Sequence, residues 1–117
     1  DYTNTFCYLM DELYIEDKTF KDSKFISWKN RWKKRREIKN NTFENSIKIM
    51  RDSNPLVIPR NHKVEEALKA ATDYNDMTKV NRLLKVFEDP YKKVTELSIY
   101  QSAPSHIDKR YQTYCGT

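Results

Sequence analysis

The residues best equipped for chemistry lie at the end of the chain, in Tyr114-Cys115-Gly116-Thr117. Cys115 falls in no periodic segment, so no helix or strand is expected to bury it. Chain ends are where order is weakest and access greatest. A thiol in such a place is governed more by its reactivity than by packing. Tyr111, Thr113 and Tyr114 surround it, and Lys109 and Arg110 would favour its thiolate. The plainer alternative is an incidental free thiol on a tail. The second cysteine, Cys7, follows Phe6 in an amphipathic stretch and reads as a small packing or surface residue. A Cys7–Cys115 disulfide within the chain is not favoured.

Three other constellations bear on function. His62 stands beside Arg60 and Asn61 at an expected helix start, after Asn54-Pro55. A general base needs a nucleophile within reach, and none is evident in sequence. The plainer reading has Asn61 capping the helix while Arg60 and His62 hold nearby carbonyls or carboxylates. Glu65 and Glu66 would complement a helix dipole if they lie in the first turn. A basic run, Lys29, Arg31, Lys33, Lys34, Arg35, Arg36 and Lys39, is interleaved with Trp28 and Trp32. Cations for phosphates and aromatics for stacking would suit nucleic acid, with Lys29, Arg31, Lys33 and Arg36 as candidate anion contacts. At ~100° per residue these cations spread round the whole helix, where a groove-binding helix gathers them on one face. The competing expectation is a solvated helix whose Trp residues pack inward while Arg35 meets a carboxylate.

Composition narrows the classes. The 117 residues suffice for one domain, and 33% are charged with a net charge of +5; mean hydropathy is −0.94. A single Gly argues against a glycine-rich phosphate loop and against the tight turns of an all-β fold. No apolar stretch approaches the ~20 residues that span a bilayer. Two cysteines are too few for a disulfide scaffold, and neither cysteine nor His62 and His106 has metal-ligand spacing. No metal or other cofactor is expected in this chain, and a reducing, cytoplasmic setting is the default. The first residue is Asp1, not Met, which fits a piece of something longer.

The elements that must position these residues are helices. Phe6, Leu9, Met10 and Leu13 recur with helical spacing behind a cap at Thr3, Asn4 or Thr5. Phe25, Trp28 and Trp32 form a second stripe behind Asp22 or Ser23. Phe43, Ile47 and Met50 form a third, opened by Asn41 or Thr42 and stopped by Asn54-Pro55. Leu56-Val57-Ile58-Pro59 is apolar and extended, and Pro59 bars a central strand. A fourth helix is expected from about Asn61 to Thr72, with Val64, Ala67, Leu68 and Ala71 on one face. Tyr74-Asn75-Asp76 makes the turn to a fifth, with Val80, Leu83, Leu84 and Phe87. Small Ala opposite larger Leu and Phe suits an antiparallel pair. Thr95 to Tyr100 is expected to add one short turn, and residues 103–117 to form an extended tail. The expected architecture is all-α: about five helices in an irregular bundle, one domain over 1–117.

Taken in order, Asp1-Tyr2-Thr3-Asn4-Thr5-Phe6, Trp28 with Arg31-Trp32, Asn54-Pro55, Ile58-Pro59-Arg60-Asn61-His62 with Val64-Glu65, Leu83-Leu84, Asp89-Pro90-Tyr91 and Tyr114-Cys115-Gly116-Thr117 are similar to the C-terminal part of the selenoprotein O family, the SelO or YdiU type. The resemblance covers nearly the whole chain. It implies a parent enzyme with a protein-kinase-like core that transfers AMP from ATP to protein hydroxyls, assisted by Mg²⁺ or Mn²⁺. The family's nucleotide-binding and metal-binding residues belong upstream, and none maps onto this sequence. The resemblance implies that this chain packs on that core as a non-catalytic helical region. Cys115 matches the family's C-terminal selenocysteine or cysteine, which is implicated in redox control through a disulfide with a cysteine elsewhere in the enzyme. Cys115 is not selenocysteine, so its chemistry would depend more on thiolate formation. Cys7 stands where the family pattern suggests a basic residue. The implied partners are the upstream core and the parent's protein substrates, with neither nucleic acid nor membrane. Two rival readings are a basic helical nucleic-acid-binding module and a helical interaction scaffold built on the 61–87 pair.

Overall fold

Most helices begin where the sequence supplies an oxygen acceptor for the otherwise unpaired amides of a first turn. The computed structural model describes residues 1–38 and 42–104. Among these the chain is all helical: α1 (Tyr2–Leu9), a 3₁₀ turn (Lys18–Lys21), α2 (Ser23–Ile38), α3 (Phe43–Ser53), α4 (Asn61–Tyr74), α5 (Thr78–Glu88) and α6 (Leu97–Gln101), with no strand. The Asp1 carboxylate accepts from the Asn4 amide at 3.1 Å, so α1 starts ahead of the cap expected at Thr3 to Thr5. Asp22 accepts from the amides of Lys24 and Phe25, and Thr42 from that of Asn45. Asp17 caps the 3₁₀ turn, which the apolar periodicity did not reveal. Hydrogen bonds from Thr19 hold its carboxyl below the usual range.

Termination also follows local chemistry. Asn54 ends α3 ahead of Pro55, as the restriction on pre-proline residues requires. Asn75 ends α4 with φ of 51°, a left-handed conformation that Asn tolerates better than most residues. The Asp76 amide then donates to the Ala70 carbonyl at 3.1 Å and closes the helix end.

α4 and α5 fold back on each other as the expected pair, with Ala67 buried between them. Glu66 of α4 binds Lys79 of α5 and Lys63 of its own helix; the Lys79 hydrogen bond is the main reason its carboxyl lies below the usual range. Glu65 and Glu66 sit in the second turn, so the dipole role expected of them does not hold. The face of the pair also differs from expectation. Leu68 and Leu84 are exposed, and Val86 takes the buried position on α5. Leu83, one turn before Val86, and Phe87, the next residue, are the expected positions that do pack on the core, while Leu84 points about 160° from Val86 at ~100° per residue. Two overlapping apolar stripes share α5, and tertiary packing selects the one through Val86.

The core forms around the extended segment after α3. Leu56 and Val57 lie within a cluster of Cys7, Met10, Val86, Leu97 and Tyr100, with Phe6, Leu13, Met50, Leu83, Phe87 and Val94 packed against it. The Leu56 amide donates to the Pro90 carbonyl at 2.8 Å, anchoring the segment to the turn after α5. Burying each of these side chains stabilises by roughly 1.5–3 kcal/mol. The segment therefore serves as an interior strap, and its lack of regular structure follows from Pro55 and Pro59.

α2 packs chiefly on the 3₁₀ turn. Tyr8 stacks on Phe20 at 4.3 Å, Phe25 meets both edge-on, and the column continues along α2 through Trp28 and Trp32. Trp28, expected to pack inward, is 40% exposed. Among the described residues no helix is long and apolar enough to cross a membrane.

Candidate functional site

The motif around Arg60 forms the polar centre of the fold. Arg60 precedes α4, and its carbonyl accepts from the amides of Lys63 and Val64. It occupies the cap position without capping through its side chain, and Asn61 is the first helical residue. The expected Asn61 cap is thus displaced by one residue. The Arg60 side chain turns into the protein instead. Nη1 pairs with the Asp1 carboxylate at 2.6 Å, Nη2 donates to Asn4 Oδ1 at 3.1 Å, and Nε donates to the Tyr100 carbonyl at 3.1 Å. A planar fork suits three acceptors from three directions. The expectation that Arg60 holds a carbonyl and a carboxylate is met. Burial lowers the guanidinium's pKa.

The network continues through two further buried amides. Asn4, 1% exposed, donates through Nδ2 to the Gln101 carbonyl at 2.9 Å. Gln101, also 1% exposed, donates through Nε2 to the carbonyls of Glu12 and Leu56 and accepts the Tyr14 amide at 2.9 Å. One polar cluster therefore ties α1, the segment after it, the interior strap and α6. A buried polar network is stabilising when its members are satisfied.

Cys7 borders this cluster at 0% exposure. Its Sγ lies 3.6 Å from the Leu56 carbonyl and 3.8 Å from that of Pro55. Burial, and then the nearby Glu12 carboxylate, push the thiol up to about 11. Such a thiol is inert near neutral pH. Cys7 is a packing residue.

Asn54 donates through Nδ2 to the Met50 carbonyl at 2.8 Å and closes α3, and Pro55 supplies a carbonyl beside Cys7. Both act within the core. His62 lies half-buried in the first turn of α4. Cys115, His106, most of the tail expected over 103–117, and Lys39 of the basic run lie outside the described residues. Sequence marked Asn4 only as a possible helix cap and Asp1 only within the family-like opening string, and it did not single out Glu12 or Gln101. For Gln101 a signal existed: it falls four residues after Leu97, on the face that α6 buries.

The candidate anion contacts on α2 do not form one basic surface. The Lys29 ammonium sits 4.2 Å above the Tyr8 ring, and the Arg36 guanidinium lies between the rings of Trp32 and Phe43 at 4.6 and 4.7 Å. Arg31 and Lys34 line the opposite side, and Lys33 is exposed. Arg35 is exposed and pairs with no carboxylate among the described residues, contrary to expectation. Among the described residues no group of three His, Cys, Asp or Glu is placed to hold a metal ion.

The class these observations define is an all-helical module whose polar centre is closed on its own backbone and side chains. The chain belongs to the protein adenylyltransferase SelO family, whose model matches residues 2–88. It is 42% identical to a protein nucleotidyltransferase YdiU of Pelagibacter ubique and 41% identical to proteins of that name from Nitrosococcus oceani and Anoxybacillus flavithermus. Each comparison covers 100% of this chain and 24% of the relative. The chain thus spans about a quarter of the length of the curated relatives it matches. No solved structure matches it.

Proposed function

We propose that this chain is the non-catalytic C-terminal helical region of a protein adenylyltransferase and that it supports the enzyme's kinase-like core. The parent would transfer AMP from ATP to Ser, Thr or Tyr hydroxyls of protein substrates, in the cytoplasm, with Mg²⁺ or Mn²⁺ bound by the core. The observation that carries the reading is the inward closure of the Arg60 motif. The part of the sequence most like the family engages its charged fork with Asp1, Asn4 and the Tyr100 carbonyl, which is the work of a structural joint. The described residues offer no carboxylate set for a metal, so no chemical step is assigned to them. The 24% coverage of the relatives leaves about three quarters of their length to carry the chemistry.

Cys115 is assigned as the redox position of the parent. Support comes from its family-like Tyr-Cys-Gly-Thr setting and from the inertness of the other cysteine, Cys7. The test is AMP transfer to protein acceptors from ATP labelled at the α-phosphate. The 117-residue chain with ATP and Mg²⁺ is expected to transfer none, while a polypeptide that adds the upstream region is active. Transfer by the chain alone overturns the assignment. For Cys115, non-reducing peptide mass spectrometry of the longer enzyme after oxidation by glutathione disulfide should show it bonded to an upstream cysteine. Recovery of Cys115 only as a free thiol overturns the redox role.

A further inference from the structure

The side chains at Phe25, Trp28, Trp32 and Arg36 fall at i, i+3, i+7 and i+11 and so share one stripe of α2. The lower end of the stripe is packed, since Phe25 rests on Tyr8 and Phe20. The rest is not: Trp28 is 40% exposed, and Phe43, which packs on Arg36 two turns further on, is 58% exposed. Trp28 and Trp32 lie nearly parallel, 14° apart with centroids at 6.4 Å. Arg36 sits between Trp32 and Phe43 with its Nη1 buried, and among the described residues that nitrogen has no hydrogen-bond partner. A buried guanidinium N–H without an acceptor is costly and rare in a finished structure. An exposed aromatic face beside an unpaired cationic donor calls for an apolar partner bearing a carboxylate, because Arg binds carboxylates with directed bonds.

We infer that the Trp28–Trp32–Arg36 stripe, with Phe43, is the docking face for a carboxylate-bearing apolar segment of the same polypeptide, supplied by the region outside this chain. This rests on the reading that the chain is one region of a longer adenylyltransferase. The relatives carry about three times as much chain outside the matched part as within it, so a polypeptide of their length supplies such a partner in every copy. Charge agrees, because Lys29, Arg35 and Arg36 lie on or beside the stripe while Glu37, the one carboxylate of α2, does not. Such a face attracts an acidic partner and disfavours a second copy of itself.

The experiment uses the full-length enzyme and compares two single cysteine variants, read peptide by peptide after a maleimide pulse. Arg35→Cys borders the stripe, and Lys34→Cys lies on the far side of the helix. With the face covered, position 35 labels about tenfold more slowly than position 34, a ratio typical of modest local protection. Equal labelling at the two positions overturns the docking face. In the Arg36→Gln background the protection at position 35 should fall at least severalfold. Unchanged protection there overturns the carboxylate contact. AMP transfer by the same preparations separates this inference from the reading beneath it. Active enzyme with equal labelling refutes only the docking face. Activity in the 117-residue chain alone removes the premise that the chain is a supporting region.

Discussion

Replacing Arg60 with Met tests whether the polar cluster holds the fold together. The substitution keeps a long apolar stem and removes all three donors. Asn4 Oδ1, in a residue 1% exposed, loses its donor, and stranding a buried acceptor costs about 1–3 kcal/mol. The Tyr100 carbonyl loses the Nε bond, worth about 1 kcal/mol. The Asp1 pair is partly open, with side chains 11% and 24% exposed, so its loss adds about 1 kcal/mol at most. The sum is about 3 kcal/mol. For a domain of this size each kcal/mol shifts Tm by roughly 4–8 °C, so the variant should melt about 15 °C lower. Arg60→Lys keeps a cation near Asp1 without the fork and should fall about midway. Urea unfolding followed by circular dichroism, in this chain or a longer polypeptide containing it, measures the difference. A change of midpoint at constant denaturant slope marks a true loss of stability. A Met variant within about 0.5 kcal/mol of the parent refutes the reasoning, since only a solvated Arg60 would be so dispensable.

Three further outcomes follow from the same geometry. Gln101→Leu leaves the Tyr14 amide and the Glu12 carbonyl without their partner, and should cost about 2–4 kcal/mol in the same assay. A cost below about 0.5 kcal/mol would show that water replaces the side chain. Cys7 has a folded pKa of about 11 against 9.0 for an ordinary thiol, so the fold favours the protonated form. That contribution is complete below pH 9 and declines as pH rises toward 11, at roughly 1.4 kcal/mol per unit. Cys7→Ala should lack this decline, and identical pH dependence in the two proteins contradicts it. At Asn75, with its φ of 51°, Gly should be neutral or slightly stabilising, while Val should cost about 1–2 kcal/mol. Equal melting of the two variants would show that the left-handed turn is not retained.

Local chemistry made the helices legible. The side chains of Asp22, Thr42 and Asn54 start or stop helices, and Asn75 stops one through its left-handed backbone. The interior strap could be read from its prolines, although its burial could not. What sequence did not show depends on contacts between distant residues. The stripe through Leu84 and the stripe through Val86 have equal periodicity, and only packing against Leu56, Val57 and Leu97 chooses between them. The Asp1–Arg60 pair and the Asn4–Gln101 bond join residues 59 and 97 positions apart, a separation no local pattern encodes. Arg60 stood out because of its neighbours, but its partners did not.

The polar cluster and the aromatic stripe place opposite demands on this module. The cluster must be complete within the chain, since Arg60, Asn4 and Gln101 find their partners on α1, the strap and α6. The stripe is incomplete among the described residues, since none of them gives Arg36 Nη1 an acceptor and Trp28 and Phe43 are exposed. A free-standing domain gains nothing from that second arrangement, because a buried unpaired donor and exposed aromatics both raise its free energy. A region that works by bracing a larger enzyme needs both: an interior that keeps its shape and a surface that is finished only on contact. The two can be separated by mutation. Arg60→Met should lower the stability of the module whatever surrounds it. Arg36→Gln should cost the 117-residue chain only its two cation–π contacts, about 1 kcal/mol, and the longer enzyme clearly more. Equal losses from Arg36→Gln in both contexts would place the stripe's role inside the module and remove the case for a partner.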